Sequence, residues 1–217
     1  AWSLPNPEEL TTPLRRPSVT VIAADSSVLA VYGDLYGGKV DYKDIPPFLI
    51  QAVIATEDRR FFNHYGIDGI GIFRAFVNNI RVGYIREGGS TITQQLAKNL
   101  FLTPEKSIKR KIQEVMIAFW LEAKFTKKQI LTIYLNRAYL GAGTYGISAA
   151  TRRYFAKSVT DINLRQASIL AGLLKAPSRY SPSSNRMAAI RRGDQVLLNM
   201  VSANFLSAPM AAKIRLQ

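Results

Sequence analysis

The sequence predicts a mainly α domain with a short β element near its N-terminus, and three observations carry that expectation. From Pro46-Pro47 onward, apolar residues recur at spacings of three and four instead of alternating. Helix start and stop signals punctuate the same stretch: a proline in a first turn, a Thr126–Gln129 capping pattern, and Pro177 as a stop. The β-type signal is confined to VTVIAADSSVLAVY, residues 19–32, where two apolar runs flank Asp25-Ser26-Ser27 as a hairpin would.

Taken in order, residues 1–17 read as an irregular leader with four prolines, which with the hairpin makes an N-terminal segment of residues 1–45. A first helix is expected from Phe48 to about Ala55, and a second over 68–81 with Ile72, Phe73, Phe76 and Ile80 on one side. Thr103-Pro104 should open a long helix to about Phe125, with Ile108, Ile112, Val115 and Phe119 facing inward. A further helix is expected from Thr126 to near Gly141, followed by others at about 145–155, 163–176, 186–203 and 208–215. The main helical domain is placed at 46–205, and 206–217 as a C-terminal helix or linker. There is no internal repeat.

Composition narrows the partners. Lys plus Arg is 29 against 15 acidic residues, a net charge of +14, which points to nucleic acid, an anionic membrane surface or a phosphate-bearing substrate. The absence of cysteine excludes disulfides and thiolate metal sites, and the single histidine, His64, excludes a His-rich cluster. The longest uncharged run, residues 195–212, is too rich in polar residues to read as a membrane span. The chain has no signal-peptide pattern and reads as soluble, cut from something longer.

Three stretches carry chemistry. EGGSTITQQLAKN, residues 87–99, sets two glycines and a serine before a polar helix. Gly88-Gly89 would let the backbone approach a ligand, Ser90 would cap the helix, and the helix N-terminus would suit phosphate. Thr91, Gln94 and Lys98 share a face at spacings of three and four, while an ordinary capped surface helix reads the stretch equally well. In ATEDRRFFNHYGID, residues 55–68, Glu57-Asp58 ends an apolar helix, a setting in which a general base is tuned. His64 there reads as a structural hydrogen-bonder more readily than as a catalyst. In KSIKRKIQE, residues 106–114, Arg110 and Lys111 lie four and three positions before Glu114, at the edge of the expected buried side. A solvated charged face is the plain reading of that run.

Together these stretches resemble the family 51 peptidoglycan glycosyltransferases, the lipid II polymerases of bacterial cell walls. The family's first motif is matched by Glu57, Asp58, Phe61, His64 and Gly66, and the second runs from Gly88 to Asn99. The third is Arg110, Lys111 and Glu114, and the fourth Tyr134, Leu135, Asn136, Gly141 and Gly146. The fifth covers Tyr154 to Lys157 and Ala167 to Pro177. Two positions depart from the pattern, with Lys106 where an arginine is usual and Thr132 where a glutamate is frequent. The segment at 20–36 is similar to the front of class A penicillin-binding proteins. No S-x-x-K or K-T-G is present, so the transpeptidase of such proteins lies outside this chain.

The resemblance implies a lysozyme-like helical head, a smaller membrane-docking jaw at about 67–87, and polymerisation of lipid II with inversion at the anomeric carbon. It places the protein on the periplasmic or outer face of the bacterial cytoplasmic membrane, among other cell-wall synthesis proteins and as a target of moenomycin-type inhibitors. The growing glycan strand is held through its lipid diphosphate, and the 4-hydroxyl of an incoming lipid II attacks. Asp58, Gly89, Ser90, Thr91, Gln94, Gln95, Lys98, Asn99, Lys106, Arg110 and Lys111 are the implied substrate-binding residues. A divalent cation, Mg or Mn, accompanies the diphosphate, with no dedicated metal cage and no organic cofactor. Glu57, beside apolar sequence, is assigned as general base, and Glu114, among cations, as organiser of the basic cluster or of a metal. A lysozyme-like glycan-cleaving enzyme would need no such cations, and a nucleic-acid-binding domain would not set glutamates inside basic motifs.

Overall fold

A computed structural model of the chain describes residues 19–25, 28–32, 35–83, 88–102 and 107–216. The expected leader, the Ser26-Ser27 hairpin tip, the end of the jaw at 84–87, the Thr103-Pro104 helix start and Lys106 lie outside the described residues. The chain forms two compact units, Ala1–Thr56 with Leu135–Gln217, and Glu57–Tyr134.

In the first unit, β1 (Val19–Ile22) pairs antiparallel with β2 (Val28–Tyr32), with a register shift between Val21 and Ile22. A second, parallel pair joins β3 (Leu35–Tyr36) to β4 (Thr144–Tyr145), and the rings of Tyr36 and Tyr145 stack at 5.0 Å. Two-residue strands leave no alternation to read, so this pair is absent from the sequence expectation. Helix α1 (Pro47–Glu57) is apolar almost all round and buries Leu49, Ile50, Ala52, Val53, Ile54 and Ala55, as a core helix does.

The unit's C-terminal part holds α6 (Ile147–Phe155), α7 (Leu164–Leu173), α8 (Pro177–Tyr180), α9 (Arg186–Ser202) and α10 (Ala208–Arg215). The α7 helix starts at a capping box between Asn163 and Gln166. It ends three residues earlier than expected, and Pro177 opens α8, since a proline fits the first turn of a helix. Small residues let α7 and α9 meet closely: a Cβ on Gly193 would lie 3.0 Å from the Ile169 side chain, and one on Gly172 2.8 Å from Arg192. The half-buried Asp194–Arg165 ion pair, at 2.6 Å, ties the same two helices.

Residues of the fourth and fifth motifs are scaffolding here. Asn136 clamps an extended segment, accepting from the Val40 N–H at 2.9 Å and donating to the Val40 carbonyl at 2.8 Å. The Tyr154 hydroxyl donates to the Leu140 carbonyl at 2.9 Å. Gly146 sits at φ 82° and ψ 154°, a region almost closed to other residues, and a Cβ there would come within 2.5 Å of the Asn136 carbonyl oxygen.

In the second unit, α2 (Gly69–Val82) precedes α3 (Ile92–Phe101), which packs on α4 (Ile108–Lys124); α5 (Lys127–Arg137) runs from this unit into the other. Thr126 and Gln129 form the expected reciprocal cap of α5. That helix stops short of Gly141, because residues 138–146 enter a loop with positive φ at Gly141, Ala142, Gly143 and Gly146. The expectation for α4 is inverted. Ile108 is 82% exposed, Ile112, Met116 and Phe119 are also exposed, and the buried side is Glu114, Ile117, Ala118 and Leu121. Apolar residues occupy both sides of this helix, so periodicity alone does not select the inner one.

The α3 helix is capped by Thr91, not by Ser90. Thr91 Oγ1 accepts from the Gln94 N–H at 3.1 Å, and Gln94 Oε1 accepts from the Thr91 N–H at 3.0 Å. A capping box needs a glutamine or glutamate three residues on, and only Thr91 has one. The first helical N–H, of Ile92, donates to Asp58 Oδ2 at 3.0 Å.

Two stability effects are expected. Gly146→Ala should cost at least about 1–3 kcal/mol from its backbone conformation alone, read as a lower denaturant midpoint at unchanged slope. Asp58→Ala should cost about 2–4 kcal/mol by stranding the Ile92 N–H and His64, read the same way; an unchanged midpoint would show that the carboxylate does not anchor α3.

Candidate active site

Glu57 is the last residue of α1 and the first of the second unit. Its carboxylate Oε2 accepts from Gln95 Nε2 at 3.0 Å, and Gln95 Oε1 in turn accepts from the Tyr134 hydroxyl at 2.9 Å. Gln95 comes one turn into α3 and Tyr134 from α5, where its side chain is fully buried. Burial, and then the negative charges of Glu57 and Asp58, push the Tyr134 phenol well above its ordinary pKa. The hydroxyl therefore stays protonated and donates. Gln95, expected to bind substrate, here donates to Glu57 and accepts from Tyr134.

Asp58, also expected among the substrate-binding residues, turns inward. Besides the Ile92 N–H, it accepts from His64 Nε2, 3.0 and 3.1 Å from its two oxygens, and both residues are buried. His64 is thus the structural hydrogen-bonder that its setting suggested. The protein's own Asp58 carboxylate thus sits at the N-terminus of α3, on its first N–H.

Thr91 and Gln94 are likewise buried and committed, to each other and, from Thr91 Oγ1, to the Gly66 carbonyl at 2.6 Å. They build the helix entry. Gly66 itself lies at φ 74°, and a Cβ on it would press on the Ala118 backbone of α4 at 3.3 Å. The lack of a side chain at Gly89 also serves packing, since a Cβ there would meet Ile72 at 3.0 Å; Gly88 faces open space.

The second glutamate is set differently. Glu114 is 3% exposed, and its Oε1 accepts from Arg110 Nη1 while its Oε2 accepts from Lys111 Nζ at 2.7 Å. Lys111 also donates to Ser90 Oγ at 2.9 Å, which brings the serine of the second motif to the cations of the third. Arg110 Nε is buried with no hydrogen-bond partner among the described residues, a donor still to be satisfied. Lys98 and Asn99 stand exposed on α3. Lys106, expected beside this cluster, is outside the described residues.

The structure therefore groups Glu57, Gln95 and Tyr134 in one hydrogen-bonded chain, and Ser90, Arg110, Lys111 and Glu114 in another. Tyr134 was missed as a site residue because nothing local in the sequence pairs it with Gln95, 39 positions away. Both Glu114 oxygens are taken by cations, and no cluster of three acidic or histidine side chains occurs among the described residues.

Comparison with known proteins places this arrangement. The transglycosylase family model matches residues 26–201. Penicillin-binding protein 1A of Aquifex aeolicus is 45% identical over 189 residues, covering 84% of this chain and 26% of that protein. Penicillin-binding protein 1A of Escherichia coli is 42% identical over 187 residues, covering 86% and 22%. The chain thus spans about a quarter of the length of the curated relatives it matches. The crystal structure of penicillin-binding protein 1A from Haemophilus influenzae superimposes with a TM-score of 0.54 at 21% identity, covering 92% of this chain and 20% of that one. The fold is the mainly α, lysozyme-like one that the sequence implied. With the family model extending over most of its length, the chain belongs to the transglycosylase family.

Proposed function

We propose that the chain is a peptidoglycan glycosyltransferase that polymerises lipid II into glycan strands with inversion at the anomeric carbon. The observation that carries this reading is the unlike setting of the two glutamates. An uncharged amide donates to Glu57, while two cations saturate the buried Glu114. A carboxylate that accepts from a neutral donor keeps more basicity than one locked between cations.

Glu57 takes the proton of the acceptor 4-hydroxyl as that oxygen bonds to the anomeric carbon of the donor. The bond from that carbon to the diphosphate breaks on the opposite side, and polyprenyl diphosphate leaves with the electron pair. Arg110, Lys111, Lys98 and Ser90 receive its charge, the unpartnered Arg110 Nε supplying one donor. Glu114 fixes Arg110 and Lys111 in place.

The substrate's lipid locates the reaction at the outer face of the bacterial cytoplasmic membrane, where other cell-wall synthesis proteins work. No helix among the described residues is long and apolar enough to cross a membrane. A docking role is supported instead by α2, where Phe73 is 68% exposed, Ile72, Phe76 and Ile80 are also exposed, and Arg74 and Arg81 stand beside them.

Incubation with labelled lipid II should give a polymer ladder on a gel. Small muropeptides released from preformed polymer would indicate glycan cleavage instead, and neither product would leave the nucleic-acid reading. Glu57→Gln should lower polymerisation about 10²–10⁴-fold while moenomycin still binds, whereas Glu114→Gln should damage both. Near-normal turnover by Glu57→Gln would overturn the mechanism.

A Phe73→Ser, Phe76→Ser double variant should lose binding to vesicles containing anionic lipid at an unchanged unfolding midpoint. Lost stability with intact vesicle binding would make α2 a core helix.

A further inference from the structure

We infer that a basic cleft among α6, α7, α9 and α10 is a docking site for an acidic peptide segment of a partner protein, one that presents carboxylates beside an apolar side chain. The cleft has a volume of about 700 Å³, within the roughly 300–1,000 Å³ usual for ligand sites, and every residue lining it belongs to the first unit.

Four guanidiniums line the cleft, one from each helix: Arg153, Arg165, Arg186 and Arg215. Arg165 and Arg215 share one carboxylate oxygen, Asp194 Oδ1, at 2.6 and 3.7 Å. Arg153 and Arg186 are exposed and make no ion pair among the described residues. The imbalance reaches beyond the cleft. Residues 147–217 hold 11 lysines and arginines against two aspartates, Asp161 and Asp194, a surplus of nine in a chain whose whole net charge is +14. The proposed reaction draws its cations from the second unit and uses none of these. Like charges held this densely repel one another and weaken the compact state unless an anion meets them.

The chemistry of the lining selects the anion. A guanidinium matches a carboxylate with two parallel bonds, and arginine clusters are a recurring means of reading acidic motifs. The wall already holds one carboxylate, that of Asp194, and Arg153 and Arg186 offer the same fork to a second. Between the arginines the cleft presents Phe155, Ile169, Pro182 and Ile190, all half-buried. The Tyr154 ring is a fixed part of the wall, since its hydroxyl donates to the Leu140 carbonyl at 2.9 Å. An acidic segment carrying a leucine-like side chain covers both kinds of surface, which a bare anion does not. A bilayer is flat, and the bases that meet one stand beside exposed apolar rows, as on α2; here they surround a concavity.

The probe is a fluorescein-labelled peptide alternating glutamate and leucine, titrated into the chain and read by fluorescence anisotropy. Physiological ionic strength screens long-range surface attraction. The peptide should bind saturably, more tightly than an all-glutamate peptide, and its glutamine analogue should not bind. Arg153→Ala with Arg186→Ala should weaken binding at least about tenfold, because each lost guanidinium removes a charge-assisted bond. Arg153→Lys with Arg186→Lys keeps the charge and loses the fork; it should bind less well than the parent chain and serves if the alanine pair does not fold. Lipid II polymerisation should be unchanged in both, so the test stands apart from the proposed reaction.

Lys175→Ala with Arg191→Ala removes the same charge from exposed positions outside the cleft and should leave peptide affinity unchanged. An equal loss in that control would mean diffuse attraction to a basic surface and would overturn the inference. Displacement of the peptide by millimolar inorganic phosphate would do the same, marking a simple anion site. So would an absence of peptide binding while vesicles containing anionic lipid lose their hold on the Arg153→Ala, Arg186→Ala variant, since the cleft would then belong to a membrane surface.

Discussion

The carboxylate of Asp58 on the first N–H of α3 is the contact on which the rest of the candidate site depends. It joins two pieces of chain 34 residues apart, and it does so next to Glu57 in sequence. Gln95 follows Ile92 by three residues, so it lies on the same side of α3, one turn further along. Pinning Ile92 to Asp58 therefore brings Gln95 to Glu57 without any separate device. His64 on the far side of Asp58 keeps that carboxylate from turning. A conspicuous acidic pair thus divides its work: the second member builds the frame that holds the first.

The two glutamates show how one unit holds two chemically distinct carboxylates. Both belong to the second unit, and both accept side-chain hydrogen bonds. Burying Glu114 is tolerable only because Arg110 and Lys111, one turn before it on α4, bring their charge with them. The same pairing leaves net positive charge around Ser90, since two cations face one carboxylate. Glu57 accepts from the Gln95 amide, a neutral donor. Such a division, with a basic carboxylate apart from a cationic seat, is what a displacement with an anionic leaving group requires.

The legibility of this in the sequence was uneven. Helices with clear caps were readable, as with Thr126–Gln129 for α5 and the extent of α9, because capping chemistry is local. The chemical neighbourhood was readable too, since the three clusters that stood out as Glu57, the Gly88–Asn99 stretch and Glu114 fall in one unit. The individual roles were not. Asp58, Thr91 and Gln94 have polar side chains that suit a ligand, and sequence cannot tell that they are spent on one another and on backbone groups. Ser90 and Thr91 are equally good caps in isolation; the glutamine three residues after Thr91 decides between them.

The inverted α4 helix exposes the deeper limit. Periodicity finds an apolar stripe and assumes that it faces protein, but a protein that works at a lipid surface has a second apolar environment. On α4 the stripe of Ile108, Ile112, Met116 and Phe119 faces out while a charged residue, Glu114, goes in, because its partners travel with it on the same helix. On α2 the stripe of Ile72, Phe73, Phe76 and Ile80 is exposed as well, with Arg74 and Arg81 beside it. Both helices belong to the unit that carries Glu57 and Glu114. Under the proposed function, the exposed rows and the buried acid answer one constraint: an apolar substrate tail and a charged diphosphate would be met by the same small unit, so its helices would not obey a one-sided rule.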